Sequence, residues 1–282
     1  MEAIDRLRTG FRESSTLMKI VWINVAVFVL LRLIAIVFVF SGHPEYIDKM
    51  LAQVELPSWP SVFISRPWTL VTYMFSQYDL LHVVFNMLWL YWFGTLFRMT
   101  ASARHLLALY FCGGLAGAAL FMVGYMVLPM FQSSYGSLIG SSAAVIAIVT
   151  AVAILMPHFK MHLLFIGSVS VKWIAIVTIV LVLIGMTGSN AGGEIAHIGG
   201  VVAGVLYALW MKRGCPRIRL SMPPRRRTST ATHAATGSSG GGLSREERAE
   251  LDAILDKIKK SGYPSLTPAE RDRLFNVSRK IK

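Results

Sequence analysis

Acidic residues are missing from two long stretches of the sequence. No Asp or Glu occurs between Glu13 and Glu45, nor between Asp79 and Glu194. The chain is 54% hydrophobic and its mean hydropathy is +0.56. A soluble domain would expose these apolar runs to water, so the composition excludes an ordinary soluble globular protein. We expect a polytopic membrane protein.

Cysteine is also scarce, and a signal-peptide cleavage site is missing. Cys112 lies inside an apolar run and Cys215 follows the last one. We therefore expect no disulfide framework. The charged segment 1–16 precedes an apolar run of membrane-spanning length, and no small-x-small cleavage site follows that run. We interpret the run as a retained first span and 1–16 as a cytoplasmic N-terminal segment.

Apolar runs of membrane-spanning length predict an all-α membrane protein, a bundle of six transmembrane helices. The expected spans are about 18–40, 68–97, 105–128, 138–156, 163–186 and 194–210. Lys and Arg are concentrated in the N-terminal segment, in alternate connections and in the tail. By the positive-inside rule we expect a multi-pass protein of the cell (inner) membrane with both termini in the cytoplasm.

The C-terminal tail is basic and differs in composition from the spans. From Lys212 onward there are 17 Lys and Arg against 7 Asp and Glu. Next to a membrane span this excess favours contact with anionic lipid, and we expect no nucleic-acid partner. Residues 214–243 are rich in Pro, Ser, Thr and Gly, which predicts a flexible linker. Capping boxes at Ser244–Glu247 and Thr267–Glu270 predict a small two-helix appendage over 244–282.

Polar side chains stand at the mouths of two spans. Ser142 follows Gly140 at the start of span four, and His197 lies near the start of span six. Small residues along both spans allow close approach, so we predict Ser142 as nucleophile and His197 as general base. We expect no carboxylate beside His197 in the bundle, so the predicted arrangement is a dyad. Glu194, three residues before His197, could approach the ring if the helix has already begun there, but we expect it in the interface.

His82 and Asn86 are four residues apart in span two and therefore share one helical face. Their spacing alone is compatible with a helix-to-helix hydrogen bond. It is also compatible with donors to the oxyanion of a tetrahedral intermediate, together with the Ser142 amide at its helix N-terminus.

These motifs, in this order, resemble the rhomboid family of intramembrane serine proteases over residues 17–213. The matching pieces are Trp68, the H-x-x-x-N pair His82 and Asn86, the G-x-S-A sequence 140–143, and the A-H-x-x-G sequence 196–200. The resemblance implies that Ser142 is the nucleophile, that His197 is the base, and that His82, Asn86 and the Ser142 amide form the oxyanion hole.

Four positions depart from the family pattern, and one of them, Ala143 in place of Gly, is a tolerated variation. Thr69 stands where members often place Arg after the tryptophan, and Arg66 or a different loop takes its place. Ile146 stands where many members carry a Tyr that stacks on the histidine, and Arg98 where many carry Glu.

The leading functional hypothesis is a serine endopeptidase that hydrolyses transmembrane substrates near the outer membrane face. The resemblance implies single-span substrates entering between spans two and five, in the lipid bilayer, with no cofactor and no metal. The oligomeric state is left open. One alternative is a catalytically inactive rhomboid-like protein that binds or escorts membrane clients. A transporter is disfavoured by the absence of intramembrane carboxylates and of repeated halves.

Overall fold

The computed structural model describes residues 14–131, 134–163, 167–188, 190–214, 253–254, 256–257 and 266–280. The chain divides into two compact units, residues 1–220 and 221–282. The predicted N-terminal segment falls almost entirely outside the described residues, and so do the linker 214–243 and most of the first appendage helix.

Helices dominate the first unit. They are α1 (Thr16–Phe40), α2 (Tyr46–Leu51), α3 (Pro60–Ser65), α4 (Thr69–Thr72), α5 (Leu80–Thr100), α6 (Ala103–Val127), α7 (Ser142–Leu155), α8 (Val171–Gly185) and α9 (Ala191–Lys212), with a 3-10 turn at Pro129–Phe131. Among the described residues, α1, α5, α6 and α9 are long and apolar enough to cross a membrane. The shorter helices α7 and α8 are also apolar. The prediction of a helical membrane protein is confirmed, with four candidate spans.

Helix α7 lies at the centre of the bundle. Its residues 143–152 are all buried, and α5, α6, α8 and α9 pack around it. A helix that is apolar on every side belongs in an interior. Glycines on the neighbouring helices allow this packing, because a Cβ added at Gly113 would lie 2.5 Å from Ala147 Cβ, and one at Gly204 would lie 2.5 Å from Ala147 O.

Span two is divided, which the sequence prediction did not foresee. The single predicted helix at 68–97 is instead the short α4 and the long α5, with a non-helical segment between them. The Asp79 side chain accepts a hydrogen bond from the His82 amide at 2.8 Å and caps α5. An N-cap carboxylate satisfies one of the free amides at a helix start, so α5 begins at Leu80.

Two small antiparallel sheets depart from the all-α prediction. Strand β1 (Leu56–Pro57) pairs with β2 (Ser137–Leu138) and ties the first loop to the segment before α7. Strand β3 (Lys160–Leu163) pairs with β4 (Gly167–Ser170). The predicted fifth span at 163–186 is therefore shortened to α8. Helix α7 ends just before Pro157, because the residue before a proline disfavours the helical conformation.

In the second unit the described helix is α10 (Pro268–Lys280). Its start has the two reciprocal hydrogen bonds of a capping box: Thr267 N donates to Glu270 Oε2 at 2.8 Å, and Glu270 N donates to Thr267 Oγ1 at 3.3 Å. Lys257 Nζ also lies 2.8 Å from Glu270 Oε1.

Candidate active site

Ser142 is the first residue of α7, and the turn before it is held tightly. Gly140 has φ +128°, a conformation that side chains with a Cβ rarely adopt. Its amide donates to Tyr73 O at 2.9 Å. The His82 ring occupies the space beside it, since a Cβ on Gly140 would lie 2.8 Å from His82 Cε1. The turn thus fixes where Ser142 enters the bundle.

Helices α7 and α9 bring Ser142 and His197 together. His197 Nε2 lies 2.7 Å from Ser142 Oγ. The close approach depends on Gly200, one turn beyond His197, because a Cβ there would overlap the Ala143 backbone. The hydroxyl and the imidazole therefore lie at hydrogen-bonding distance, which is the geometry a base needs to activate a serine.

A carboxylate lies on the other side of the imidazole. Glu194 Oε2 is 2.8 Å from His197 Nδ1. The sequence predicts Glu194 in the interface, at the very start of span six. Helix α9 begins at Ala191, however, so Glu194 lies within its first turn, three residues before His197 and on the same face. The expectation of an isolated pair, without a carboxylate, is wrong for this geometry.

These side chains line a cavity of about 280 Å³ between four helices. Its walls come from α5, α7, α8 and α9: Phe85, Asn86, Trp89, Ser142, Val145, Ile146, Thr178, Leu181, Val182, Glu194 and His197. Asn86 shares this cavity with Ser142. His82 lies outside its lining, beside Gly140.

Asn86 is anchored by a buried polar network that the sequence reading missed. Asn86 Nδ2 donates to Gln77 Oε1 at 2.8 Å. Gln77 Nε2 in turn donates to Asn24 Oδ1 at 3.1 Å and to Ser141 Oγ at 3.3 Å. Asn24, Gln77 and Ser141 are all fully buried. These three polar residues lie in or between apolar runs of the sequence. Such groups need hydrogen-bond partners inside a bundle, so their presence was the sequence signal that could have indicated the network.

The departures from the family pattern have local partners. Arg66 Nη1 donates to Ala52 O at 2.8 Å, closing the first loop. Thr69 Oγ1 donates to Arg66 O at 2.7 Å. Arg98 Nη1 donates to Ala101 O at 2.9 Å, at the end of α5. Ile146 is buried against the cavity.

Within the described ranges, no cluster of three His, Cys, Asp or Glu residues could hold a metal ion.

The fold and this cavity define a helical membrane protein with a polar site among its helices. Residues 65–214 match the family model described as Rhomboid domain, and they form more than half of the chain. The chain belongs to the rhomboid family, which confirms the resemblance. Residues 244–280 match a second model, described as Family of unknown function (DUF6576).

Two curated proteins are similar to this chain. RHOMBOID-like protein 12, mitochondrial, from Arabidopsis thaliana is 29% identical over 212 residues, 71% of this chain and 59% of the relative. Rhomboid protein 1, mitochondrial, from Saccharomyces cerevisiae is 26% identical over 166 residues, 56% of this chain and 45% of the relative. The chain thus spans about half the length of these relatives.

The names of these relatives contradict the predicted location. We expected the cell membrane with both termini in the cytoplasm, whereas both relatives are named as mitochondrial proteins. Charge counting in the connections can indicate an orientation, but it carries no information about which membrane holds the protein. The association with a membrane is supported.

Proposed function

We propose that the protein is an intramembrane serine endopeptidase that hydrolyses peptide bonds of membrane-spanning proteins. The observation that carries the proposal is the 2.7 Å contact between His197 Nε2 and Ser142 Oγ in a cavity among apolar helices. In the proposed reaction, Ser142 Oγ attacks the scissile carbonyl carbon while His197 Nε2 takes its proton. His197 then gives this proton to the leaving amine, and a water molecule hydrolyses the acyl-enzyme in the reverse sequence of transfers.

Oxyanion stabilisation is assigned to three groups in this proposal. The Ser142 amide belongs to the first residue of α7 and has no partner within its helix. Asn86 Nδ2 donates one of its two amide hydrogens to Gln77, and in this proposal the second hydrogen is donated to the oxyanion in the cavity. His82, beside Gly140, is the third donor, and it reaches the oxyanion by turning its ring from that position.

We place the substrate's path between α5 and α8. Phe85 of α5 and Leu181 of α8 both line the cavity and are exposed, at 57% and 61%. A substrate helix in the bilayer would meet these apolar side chains first. We further propose that α7 and α8 complete a six-helix bundle in the membrane, and that cleavage occurs near the face at which α7 and α9 begin. Because of the two relatives, a mitochondrial membrane is the location to test first.

The proposal is tested by incubating the purified full-length protein in proteoliposomes with labelled single-span substrates. Ser142→Ala should abolish cleavage and labelling by a fluorophosphonate, because the nucleophile is lost. Ser141→Ala is the matched control, since it removes the neighbouring hydroxyl, which faces the Gln77 network, and it should keep the activity. Substrate binding without cleavage by the wild-type protein would instead support the inactive, client-binding alternative.

A further inference from the structure

The His197 imidazole lies between a carboxylate and a hydroxyl. Its Nδ1 atom is 2.8 Å from Glu194 Oε2, and its Nε2 atom is 2.7 Å from Ser142 Oγ. The side chains of Glu194 and His197 are each only 17% exposed. Both ring nitrogens therefore have a protein partner, and the plane of the ring is fixed from two sides.

The nature of these partners determines the tautomer. An ionised carboxylate only accepts hydrogen bonds, and a neutral imidazole carries a single N–H. The proton of His197 must then be on Nδ1 and be donated to Glu194. This leaves the lone pair of Nε2 directed at the Ser142 hydroxyl, which is the form that can act as a base. The opposite tautomer would direct its N–H at Ser142 and leave two acceptors facing each other at Nδ1.

We propose that Glu194 is the positioning residue of a Ser142–His197–Glu194 triad, which selects the basic tautomer of His197 and stabilises its protonated form. The inference rests on the proposed function. During the reaction the Ser142 proton moves to His197 Nε2 and later to the leaving amine. The proton on Nδ1 stays on the imidazole, hydrogen-bonded to the carboxylate, so Glu194 neither gains nor loses a proton.

The surroundings of Glu194 support this role. The side chain belongs to the first turn of α9, where the helix dipole favours a negative charge. A Cβ added at Gly185, the last residue of α8, would lie 2.8 Å from Glu194 Oε1 and 2.9 Å from its Cδ. The absence of a side chain at Gly185 therefore leaves the space that the carboxylate occupies. A substitution there would displace the carboxylate without changing its chemistry.

The experiment measures kcat and KM of the full-length protein in proteoliposomes for three variants, with the substrates used above. Glu194→Gln should lower kcat by about 10² or more, because removal of a triad carboxylate costs up to about 10⁴. Gly185→Ala should lower kcat at least about tenfold by moving Glu194, in the range seen when a catalytic group is misplaced by about 1 Å. Gly188→Ala is its matched control, because a Cβ there contacts only Gly185 O, at 3.2 Å; its kcat should equal that of the wild type.

A purely structural ion pair would give a different result. In that case Glu194→Gln would lower thermal stability or yield, while the folded fraction would keep its kcat. A wild-type kcat in folded Glu194→Gln overturns the inference. If that variant does not fold, a wild-type kcat in Gly185→Ala overturns it. The rate at which a fluorophosphonate labels Ser142 gives a second readout without substrate, and it should fall in parallel with kcat.

The failure of this inference can be distinguished from failure of the proposed function. Cleavage by Ser142→Ala at the wild-type rate would end the proposed function itself. An inert Ser142→Ala together with a fully active Glu194→Gln would leave the peptidase intact and remove only Glu194 from its mechanism.

Discussion

In α7 ten consecutive residues, 143–152, are buried, whereas the described side chains of α10 are exposed or half-buried. The two helices are held by different interactions. Glycines of the neighbouring helices lie against Ala143 and Ala147 of α7, which allows the backbones to approach closely. Helix α10 begins with a capping box and an ion pair between Lys257 and Glu270, at the surface of its unit.

This difference predicts which kind of change should destabilise each unit. Changes of volume should damage the membrane unit, because packed helices without free space cannot absorb an added methyl group. Changes of pH or salt should affect the C-terminal unit more, because surface ion pairs are screened and weak. The predictions below test this contrast, beginning with the largest expected effect.

Two buried amides of one network should differ in their effects on catalysis. Asn86→Ala should lower kcat by about 10² to 10³, the range for removal of one oxyanion donor, with little change in KM. Asn24→Ala removes the matched amide at the far end of the network, where it contacts Gln77 and Tyr110. That variant should lose about 1–3 kcal/mol of stability and keep its kcat. Equal losses of kcat in both variants would make Asn86 a structural residue.

Gly200→Ala should damage both stability and activity of the membrane unit. Its Cβ would overlap the Ala143 backbone, next to Ser142, and overpacking of this kind costs about 1–3 kcal/mol. Thermal unfolding followed by tryptophan fluorescence, together with the cleavage rate, measures the effect. Val202→Ala is the control, because Val202 is 45% exposed on the same helix. A Gly200→Ala protein as stable and active as Val202→Ala would contradict tight packing of α9 on α7.

Removal of the C-terminal unit should change kcat little. The side chains that line the candidate site all come from residues between Phe85 and His197. Truncation after Arg213 should therefore leave kcat in detergent within about tenfold of the full-length value, a difference of ~1.4 kcal/mol in barrier. A larger loss, in truncated protein with an unchanged unfolding temperature, would mean that the tail acts on the membrane unit.

The smallest effect is expected from acidification of the C-terminal unit. Hydrogen bonds from Lys257 and from the Thr267 amide lower the pKa of Glu270 from its ordinary 4.5 to about 2. Because the pKa is lowered by folding, the stabilisation is complete above pH 4.5 and is lost as the pH falls toward 2. Hydrogen exchange of the α10 amides between pH 5 and 2.5 should show this loss. Glu270→Gln should abolish the pH dependence, whereas the exposed control Asp272→Asn should keep it.

The sequence was most informative where spacing alone fixes geometry. A serine at a helix start and a histidine on a later glycine-rich span predicted which helices had to meet. The four-residue spacing of His82 and Asn86 predicts one shared helical face, whereas Asn86 lines the cavity and His82 lies outside its lining, beside Gly140. The predicted span six begins at residue 194, three residues after the start of α9 at Ala191. For this reason Glu194 was expected in the interface. Glu194 is preceded by Ala191, Gly192 and Gly193, and these small residues did not indicate that the helix already begins at Ala191.

Other features depend on contacts between segments far apart in the chain. The pairing of Leu56 with Leu138 joins strands of two residues each, too short for any alternating pattern to be recognised. The Gln77 network links residues 24, 77, 86 and 141 from four segments. A single sequence offers the polar residues of such a network but not their partners, because tertiary packing selects the partners.

The length of α7 has a consequence for the bilayer itself. A helix of 14 residues is about 21 Å long, whereas the hydrocarbon layer of a typical membrane is about 30 Å thick. If the far end of α7 reaches the opposite interface, Ser142 lies about 9 Å below the surface on its own side. Lipids beside a short hydrophobic segment thin to match it. Lipid does not reach α7, which its neighbours enclose, but it meets the exposed side of α8, a helix of only 15 residues. The protein should therefore gather a thinned layer of lipid beside α8, in which the helices of the proposed substrates are too long and expose their ends to water.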